Sequence, residues 1–240
     1  MRAIIAPIPF IILACLASCE KKVKPEMKKE TVSDELKHAD TPILPIKKGD
    51  YWKYKVRVEI PAGITSEGSS AVEIETEKTR TFLGKVEVSE NHPPTDAFDV
   101  VVPGQPVGRE LVEIKEDRIL MRGSSQPETL GSKPIWMEPA IAFVVAGMRP
   151  GQQITPFSIQ EGASKRSMKV IAREAVVVPA GSYPAIRLLM TGNDGQFEVR
   201  RTTWFAPRIG IVKEEKTRYA GDKLIFRETT ELIETSVKGK

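Results

Sequence analysis

The sequence predicts a mainly β protein: one antiparallel sheet with one short helical or irregular apolar segment. Apolar and polar residues alternate with a period of two along much of the chain, and Gly- and Pro-rich turns separate the alternating stretches. No helical stripe of comparable length appears. The 240 residues are 40% hydrophobic, 28% charged and 6% aromatic, which is a composition typical of globular proteins.

The clearest strand begins at Trp52. Its apolar residues alternate with charged ones as far as Ile60, which predicts one buried and one solvated face. The Pro-Ala-Gly sequence at 61–63 ends this strand. Two further alternating stretches, 72–76 and 82–88, come before a Pro-rich break.

The rest of the chain continues in the same manner. Strands are predicted at 97–102, 110–115, 118–121, 168–178, 183–191, 197–205, 210–219 and 223–235. Turn residues separate many of them, which indicates antiparallel neighbours. The apolar stretch from Ile135 to Met148 is the exception, because its pattern predicts a helical or irregular segment that plugs or covers the sheet.

Residues 1–18 have the pattern of a secretory signal peptide. Arg2 precedes an apolar stretch that ends in small residues. As a helix this stretch would span roughly 24 Å, which is less than the ~30 Å hydrocarbon core of a bilayer. A buried N-terminal helix or strand is the alternative interpretation.

The tetrapeptide Leu16-Ala17-Ser18-Cys19 resembles the lipobox of bacterial lipoproteins, a branched apolar residue followed by two small ones and a cysteine. The resemblance implies that Cys19 carries the lipid and begins the mature chain. Two or three acyl chains anchor a protein to a membrane almost permanently, whereas one does so marginally. Cys15 is a competing candidate, with bulky Leu13 where a small residue is usual. Ordinary cleavage before Cys19, without lipid, is the other alternative.

Residues 19–47 predict a flexible tether, and residues 48–236 predict the β domain. The tether is rich in lysines and acids and has no aromatic residue, so it buries too little surface to offset the cost of ordering. An aspartate after the lipid-bearing cysteine tends to retain Gram-negative lipoproteins in the inner membrane. Glu20 at that place therefore implies the outer membrane, with the domain facing the periplasm.

The charge distribution argues against nucleic acid as a partner. The net charge is +4, and Arg2 with residues 20–48 holds +3 of it, so the domain is almost neutral and lacks the basic surface that nucleic acid requires. The tether lysines could contact anionic lipid head groups. The tether residues Asp34, Glu35, His38 and Asp40 could outline a metal site, but a solvated charge cluster is the better interpretation.

Three stretches together resemble the TapB-like domains of unknown function found in bacterial secreted and lipid-anchored proteins. They are the opening Pro-x-x-x-Gly-x-x-Trp-x-Tyr at 45–54, Val-Pro-Ala-Gly-Ser-Tyr-Pro-Ala-Ile at 178–186 and Trp-Phe-Ala-Pro-Arg-Ile-Gly-Ile-Val at 204–212. The resemblance implies a curved, half-barrel-like sheet and no catalytic residues. The family pattern would have glycine at Arg208, in a type II turn, so arginine there predicts a type I turn instead.

Few residues offer catalytic chemistry. The sequence lacks the G-x-S-x-G, P-loop and H-E-x-x-H motifs, and both cysteines precede residue 20, so the domain has no thiol for catalysis or metal binding. Ser164-Lys165-Arg166-Ser167 could contain a Ser-Lys dyad but is better interpreted as a solvated turn. The sequence predicts no enzymatic activity, no metal and no cofactor.

Other candidates have simpler structural interpretations. Glu73 with Glu75, and Glu113 with Lys115, would each share a solvated strand face. His92 is expected at the surface, without metal-ligand types nearby. The aromatic residues that could line a ligand groove are more often core anchors; they are Trp52, Tyr54, Trp136 and Trp204.

Two functional hypotheses follow. The first is a non-catalytic, lipid-anchored envelope protein whose β domain binds an envelope component, for example another protein. The second is a periplasmic carrier that holds a lipid or other apolar ligand in the groove of a half-barrel. A filled interior would favour the first hypothesis, and a large lined cavity would favour the second. A hydrolase ranks third and would require a convergent polar cluster in a cleft.

Overall fold

The computed structural model describes residues 42–66, 68–127, 133–157 and 166–239. Cys15, Cys19, the signal peptide and the four tether residues with metal-ligand side chains lie outside the described residues. So do Ser164 and Lys165. The membrane anchor and the domain boundaries therefore stay predictions. No helix among the described residues is long and apolar enough to cross a membrane.

The described residues form twelve β-strands and no helix. The strands are β1 Tyr51–Ile60, β2 Val72–Val86, β3 Thr95–Val101, β4 Gly108–Ile114, β5 Arg118–Ser125, β6 Ile135–Val145, β7 Gln153–Phe157, β8 Arg166–Val178, β9 Gly181–Asp194, β10 Phe197–Ala206, β11 Gly210–Ala220 and β12 Lys223–Thr235. The antiparallel architecture predicted from the alternation is confirmed.

All twelve strands belong to one antiparallel sheet, in the order β6-β5-β4-β3-β2-β1-β12-β11-β10-β9-β8-β7. Each half of the chain is a meander, and the pairing of β1 with β12 joins the two halves. The sheet curves into a nearly closed, barrel-like shape, so that the first half faces the second. Phe143 of β6 meets Phe205 of β10 in this way, with 6.3 Å between ring centroids.

The prediction for Ile135 to Met148 was wrong. Most of this segment is strand β6, which pairs with β5 and buries Met137, Ile141 and Phe143. Its apolar residues form a nearly continuous run rather than an alternating one, and such a run does not distinguish a buried strand from a helix. Strand β7, which follows it, was not predicted.

One end of the sheet, which we call the closed end, is filled by apolar side chains. It lies where β1 begins and β12 ends, and its fully buried large side chains include Trp52, Phe98 and Phe205. Ile43 and Leu44 cover this end and are themselves buried. The amide of Ile43 donates to the carbonyl of Glu116 at 2.7 Å. The packed part of the chain therefore includes residues that the sequence assigns to the tether.

The type I turn predicted at Arg208 was also wrong. Arg208 has φ of 71°, and the amide of Ile209 donates to the carbonyl of Ala206. Positive φ at the residue after Pro207 is the geometry of a type II turn, so arginine occupies the position where glycine is usual. The Arg208 amide donates to the carbonyl of Ile43 at 2.8 Å, and this bond helps to hold the strained backbone.

Candidate functional site

The strand register places charged side chains on the inner face of the sheet, beside the closed end. Trp52 and Tyr54 of β1 are buried on this face. Directly opposite residues of paired strands share a face, and on β2 the partners of Trp52 and Tyr54 are Arg80 and Lys78. Both cations therefore belong to the inner face.

The same register continues through the other half. Glu228 of β12 lies opposite Val58, Lys216 of β11 lies opposite Glu228, and Arg201 of β10 lies opposite Lys216. Glu214 of β11 and Glu110 of β4 join them by pairing with the inner residues Thr230 and Phe98. We call this set the inner charged cluster: Lys78, Arg80, Glu110, Arg201, Glu214, Lys216 and Glu228.

Ion pairs connect most of the inner charged cluster. Arg80 Nε donates to Glu110 Oε2 at 2.7 Å, and Arg201 Nε donates to Glu214 Oε2 at 2.6 Å. Lys216 Nζ lies 2.6 Å from Glu228 and 3.3 Å from Glu214. Each carboxylate thus contacts at least one cation, as buried charges require.

Lys78 differs from the other cations of the cluster. Its ammonium donates to Thr230 Oγ1 at 3.5 Å and lies 5.3 Å from the centre of the Tyr54 ring. It forms no ion pair with any of the described residues. The cluster has four cations and three carboxylates, so its formal net charge is +1.

The pKa values of the cluster follow from burial and these pairs. Burial opposes the ionisation of Glu214, but Arg201 and Lys216 outweigh burial and hold the pKa of Glu214 far below its usual range. Glu110 and Glu228 have lowered pKa values through the same balance, with Arg80 and Lys216 as their main partners. The pKa of Lys78 is lowered, first by burial and then by the charge of Lys216.

A cavity of about 70 Å³ lies between the two halves of the sheet. Its walls are mainly apolar, among them Phe98 and Phe205, and Arg80, Glu110 and Arg201 also line it. An engineered apolar cavity of ~150 Å³ holds benzene. The cavity here is about half that size, so it has room for a few water molecules and not for a lipid.

The four aromatic candidates divide into two groups. Trp52 and Tyr54 are core anchors: Trp52 Nε1 donates to the carbonyl of Ile209 at 2.6 Å, and the Tyr54 hydroxyl donates to that of Ile211 at 2.9 Å. Trp204 is only partly buried, and its Nε1 donates to Glu174 at 2.8 Å. Trp136 is also only partly buried.

The position of His92 was incompletely predicted. Its ring stacks on that of Trp136, with 3.9 Å between centroids and 6° between planes. His92 Nε2 lies 3.2 Å from Glu138 Oε1, so a carboxylate is nearby after all. No group of three metal-ligand residues occurs among the described residues, and this pair alone does not make a metal site.

The paired carboxylate candidates lie on solvated faces, as expected. Glu73 and Glu75 are exposed and pair with Arg57 and Lys55 of the neighbouring strand. In a similar way Glu113 pairs with Lys115 and Arg122. None of these carboxylates belongs to the inner charged cluster, so the residues singled out for carboxylate chemistry are not the ones that the fold brings together.

Sequence reasoning missed the inner charged cluster, although a pattern for it exists. The alternation of Val72, Ile74 and Thr76 continues in the same register to Lys78 and Arg80. The face that begins apolar therefore ends charged. Charged residues on strands usually indicate a solvated face. This general rule does not identify charged residues on the inner face of a curved sheet.

Two crystal structures resemble the chain. One is a candidate exported protein with a YmcC-like fold from Bacteroides fragilis (14% identity, TM-score 0.45). The other is a candidate lipoprotein from Parabacteroides distasonis (13% identity, TM-score 0.44). In each case the match covers 82% of this chain and 99% of the other. No family model and no curated protein matches the sequence. Similarity at this level carries no information about ligands or partners.

Proposed function

We propose that this chain is a lipid-anchored cell-envelope protein that acts without catalysis, by binding an envelope component with its β domain. The observation that carries the proposal is the inner charged cluster. Charged groups are costly to place inside a domain, and a few polar groups set among apolar walls are typical of a binding site.

The electrostatics of the cluster support binding rather than catalysis. A general acid that works near neutral pH needs a raised pKa, as buried carboxyl groups in hydrolases have. The pKa values of Glu110, Glu214 and Glu228 are lowered instead. These carboxylates stay ionised and hold cations in place, which is a structural and recognition role.

The filled interior favours an interaction module over a carrier that encloses a whole lipid inside the sheet. Pockets for drug-sized ligands commonly occupy ~300–1,000 Å³, whereas the cavity between the two halves of this sheet is about 70 Å³. Trp52, Phe98 and Phe205 occupy much of the closed end. An apolar lid is also unsupported, because the segment expected to provide it is mainly strand β6.

The anchor completes the proposal. Cys19, as the lipid-bearing residue, would hold the domain on the membrane through a tether, and the outer membrane facing the periplasm is the proposed location. An anchored binding domain needs no membrane-crossing segment of its own. The tether would let the domain reach components near the membrane surface.

We expect Cys19→Ser to move the protein from the membrane fraction to the soluble fraction, because it removes the thiol that carries the lipid. Cys15→Ser is the matched control and should leave the protein in the membrane fraction. Fractionation of cells followed by immunoblotting measures both. Membrane association that survives in the Cys19 variant would contradict the proposed anchor.

A further inference from the structure

Lys78 is the one cation of the inner charged cluster that forms no ion pair with a carboxylate of the described residues, although Glu214, Glu228 and Glu110 stabilise its charge from a longer distance. Glu110, Glu214 and Glu228 contact Arg80, Arg201 and Lys216 instead. A cation that is partly withdrawn from water without a direct ion pair lowers stability. An anion brought by a ligand would provide that ion pair.

On the side away from the closed end, Thr76 follows Lys78 on the same face of β2, and the apolar residues Val58 and Ile74 come next, with Glu228 opposite Val58. Val58 and Ile74 lie opposite each other on β1 and β2, on the same face as Lys78. Ile74 is 50% exposed, although it belongs to the face that is buried further along the strand. The sheet therefore presents a cation and exposed aliphatic surface on one face, with Thr76 between them.

Solvent reaches this part of the cluster. Lys78 is half-buried, and the side chains of Lys216 and Glu110 are 22% and 28% exposed. A small ligand that approaches Lys78 from this side does not require the filled closed end to open. Lysine acts as a point charge toward carboxylate or phosphate, so either group suits the position.

We propose that Lys78 binds the anionic group of a small amphiphile, a carboxylate or a phosphate on an alkyl chain, whose apolar part lies against Val58 and Ile74. The inference rests on the proposed function and names the chemical class of the component that the domain binds. The lowered pKa of Lys78 agrees with it, since an anionic ligand would raise this pKa again.

Calorimetric titration of the full chain in a neutral detergent tests the proposal. The probes are hexyl phosphate, hexanoate, inorganic phosphate and 1-hexanol. Inorganic phosphate lacks the alkyl chain, and 1-hexanol lacks the charge. The variant is Lys78→Met, and the control is Lys53→Met, which removes the same charge from the outer face, where Lys53 pairs with Glu77. Lys78→Arg restores the charge.

We expect hexyl phosphate and hexanoate to bind with one-to-one stoichiometry and at least tenfold more weakly to Lys78→Met. Lys53→Met and Lys78→Arg should bind them as the unchanged chain does. Inorganic phosphate should bind at least tenfold more weakly than hexyl phosphate, and the weak binding of 1-hexanol should not depend on Lys78. The melting temperature of Lys78→Met should be unchanged or higher, which confirms that it folds.

Two results would overturn the proposal. Equal affinity of hexyl phosphate and hexanoate for the unchanged chain and for Lys78→Met, or no binding at all, would exclude an anion site at Lys78. Binding of inorganic phosphate as tight as that of hexyl phosphate would mean that a free anion, or an acidic side chain of a protein, is the ligand. Neither result bears on the membrane anchor. The proposed binding of an envelope component is tested separately, by photo-crosslinking in intact cells.

Discussion

Glu214→Gln is expected to lower the free energy of unfolding by about 3–5 kcal/mol, the usual cost of removing one partner from a buried ion pair. The side chain of Glu214 is 4% exposed and contacts both Arg201 and Lys216. Glutamine has almost the same shape, so the loss comes from the charge. Two cations would be left on the inner face without their shared partner.

Glu215→Gln is the matched control, because Glu215 lies next to Glu214 on the same strand but faces outward. Its cost should stay below about 1 kcal/mol, as for most surface substitutions. Adding Arg201→Met to Glu214→Gln should recover part of the lost stability. Urea denaturation followed by circular dichroism measures all four proteins. Equal losses for the two glutamate variants would show that the cluster does not contribute as described.

Trp52→Ala is expected to cost about 3–5 kcal/mol, as other large aromatic truncations in protein cores do. Trp52 has no exposed surface, contacts Phe98 edge to face at 5.6 Å and donates a hydrogen bond to the carbonyl of Ile209. Its removal would leave a cavity in the closed end and would take the Trp52 hydrogen bond from the carbonyl of Ile209. Thermal or urea denaturation gives the value.

Two further variants provide a comparison for the stability loss of Trp52→Ala. Trp52→Phe keeps most of the ring but loses the hydrogen bond, so its cost should be intermediate. Trp204→Ala removes the same residue type from a partly buried position and should cost less than Trp52→Ala. If Trp204→Ala were the more damaging change, the role of Trp52 as a core anchor would be contradicted.

The strands were predictable where one face is apolar and the other charged. β1 satisfies this condition along most of its length, and its buried residues Trp52, Tyr54 and Val56 are those that the alternation indicates. A period of two follows directly from strand geometry, so no tertiary information was needed. β6 does not satisfy the condition, because apolar residues occupy both of its faces between Ala140 and Val145.

The inner charged cluster could not be predicted in full, because its members come from five strands. Glu110 of β4 and Arg201 of β10 are 91 positions apart in the sequence and line the same cavity only because the sheet curves. The curvature depends on the packing of the whole sheet. The rule that charged residues on strands face solvent holds for Glu73 and Glu75 and does not hold for the inner residues Lys78 and Arg80, for which no prediction was made.

The turn at Arg208 shows that local residue preference does not always predict a turn conformation. Local preference correctly favours glycine at positive φ, and the reasoning from arginine to a type I turn rested on that preference alone. The Arg208 amide also bonds to the carbonyl of Ile43, a residue far away in the sequence, and this long-range contact helps to hold the positive φ. Such bonds become visible only when the fold is known.

Photo-crosslinking in intact cells tests the central claim, that the inner face of the anchored domain binds an envelope component. A photoreactive phenylalanine derivative replaces either Ile74 on the inner face or its neighbour Glu75 on the outer face, both of which are exposed. The account predicts a discrete adduct from position 74, detected by mass spectrometry, and none from position 75. No adduct from position 74, or the same adduct from both positions, would contradict it.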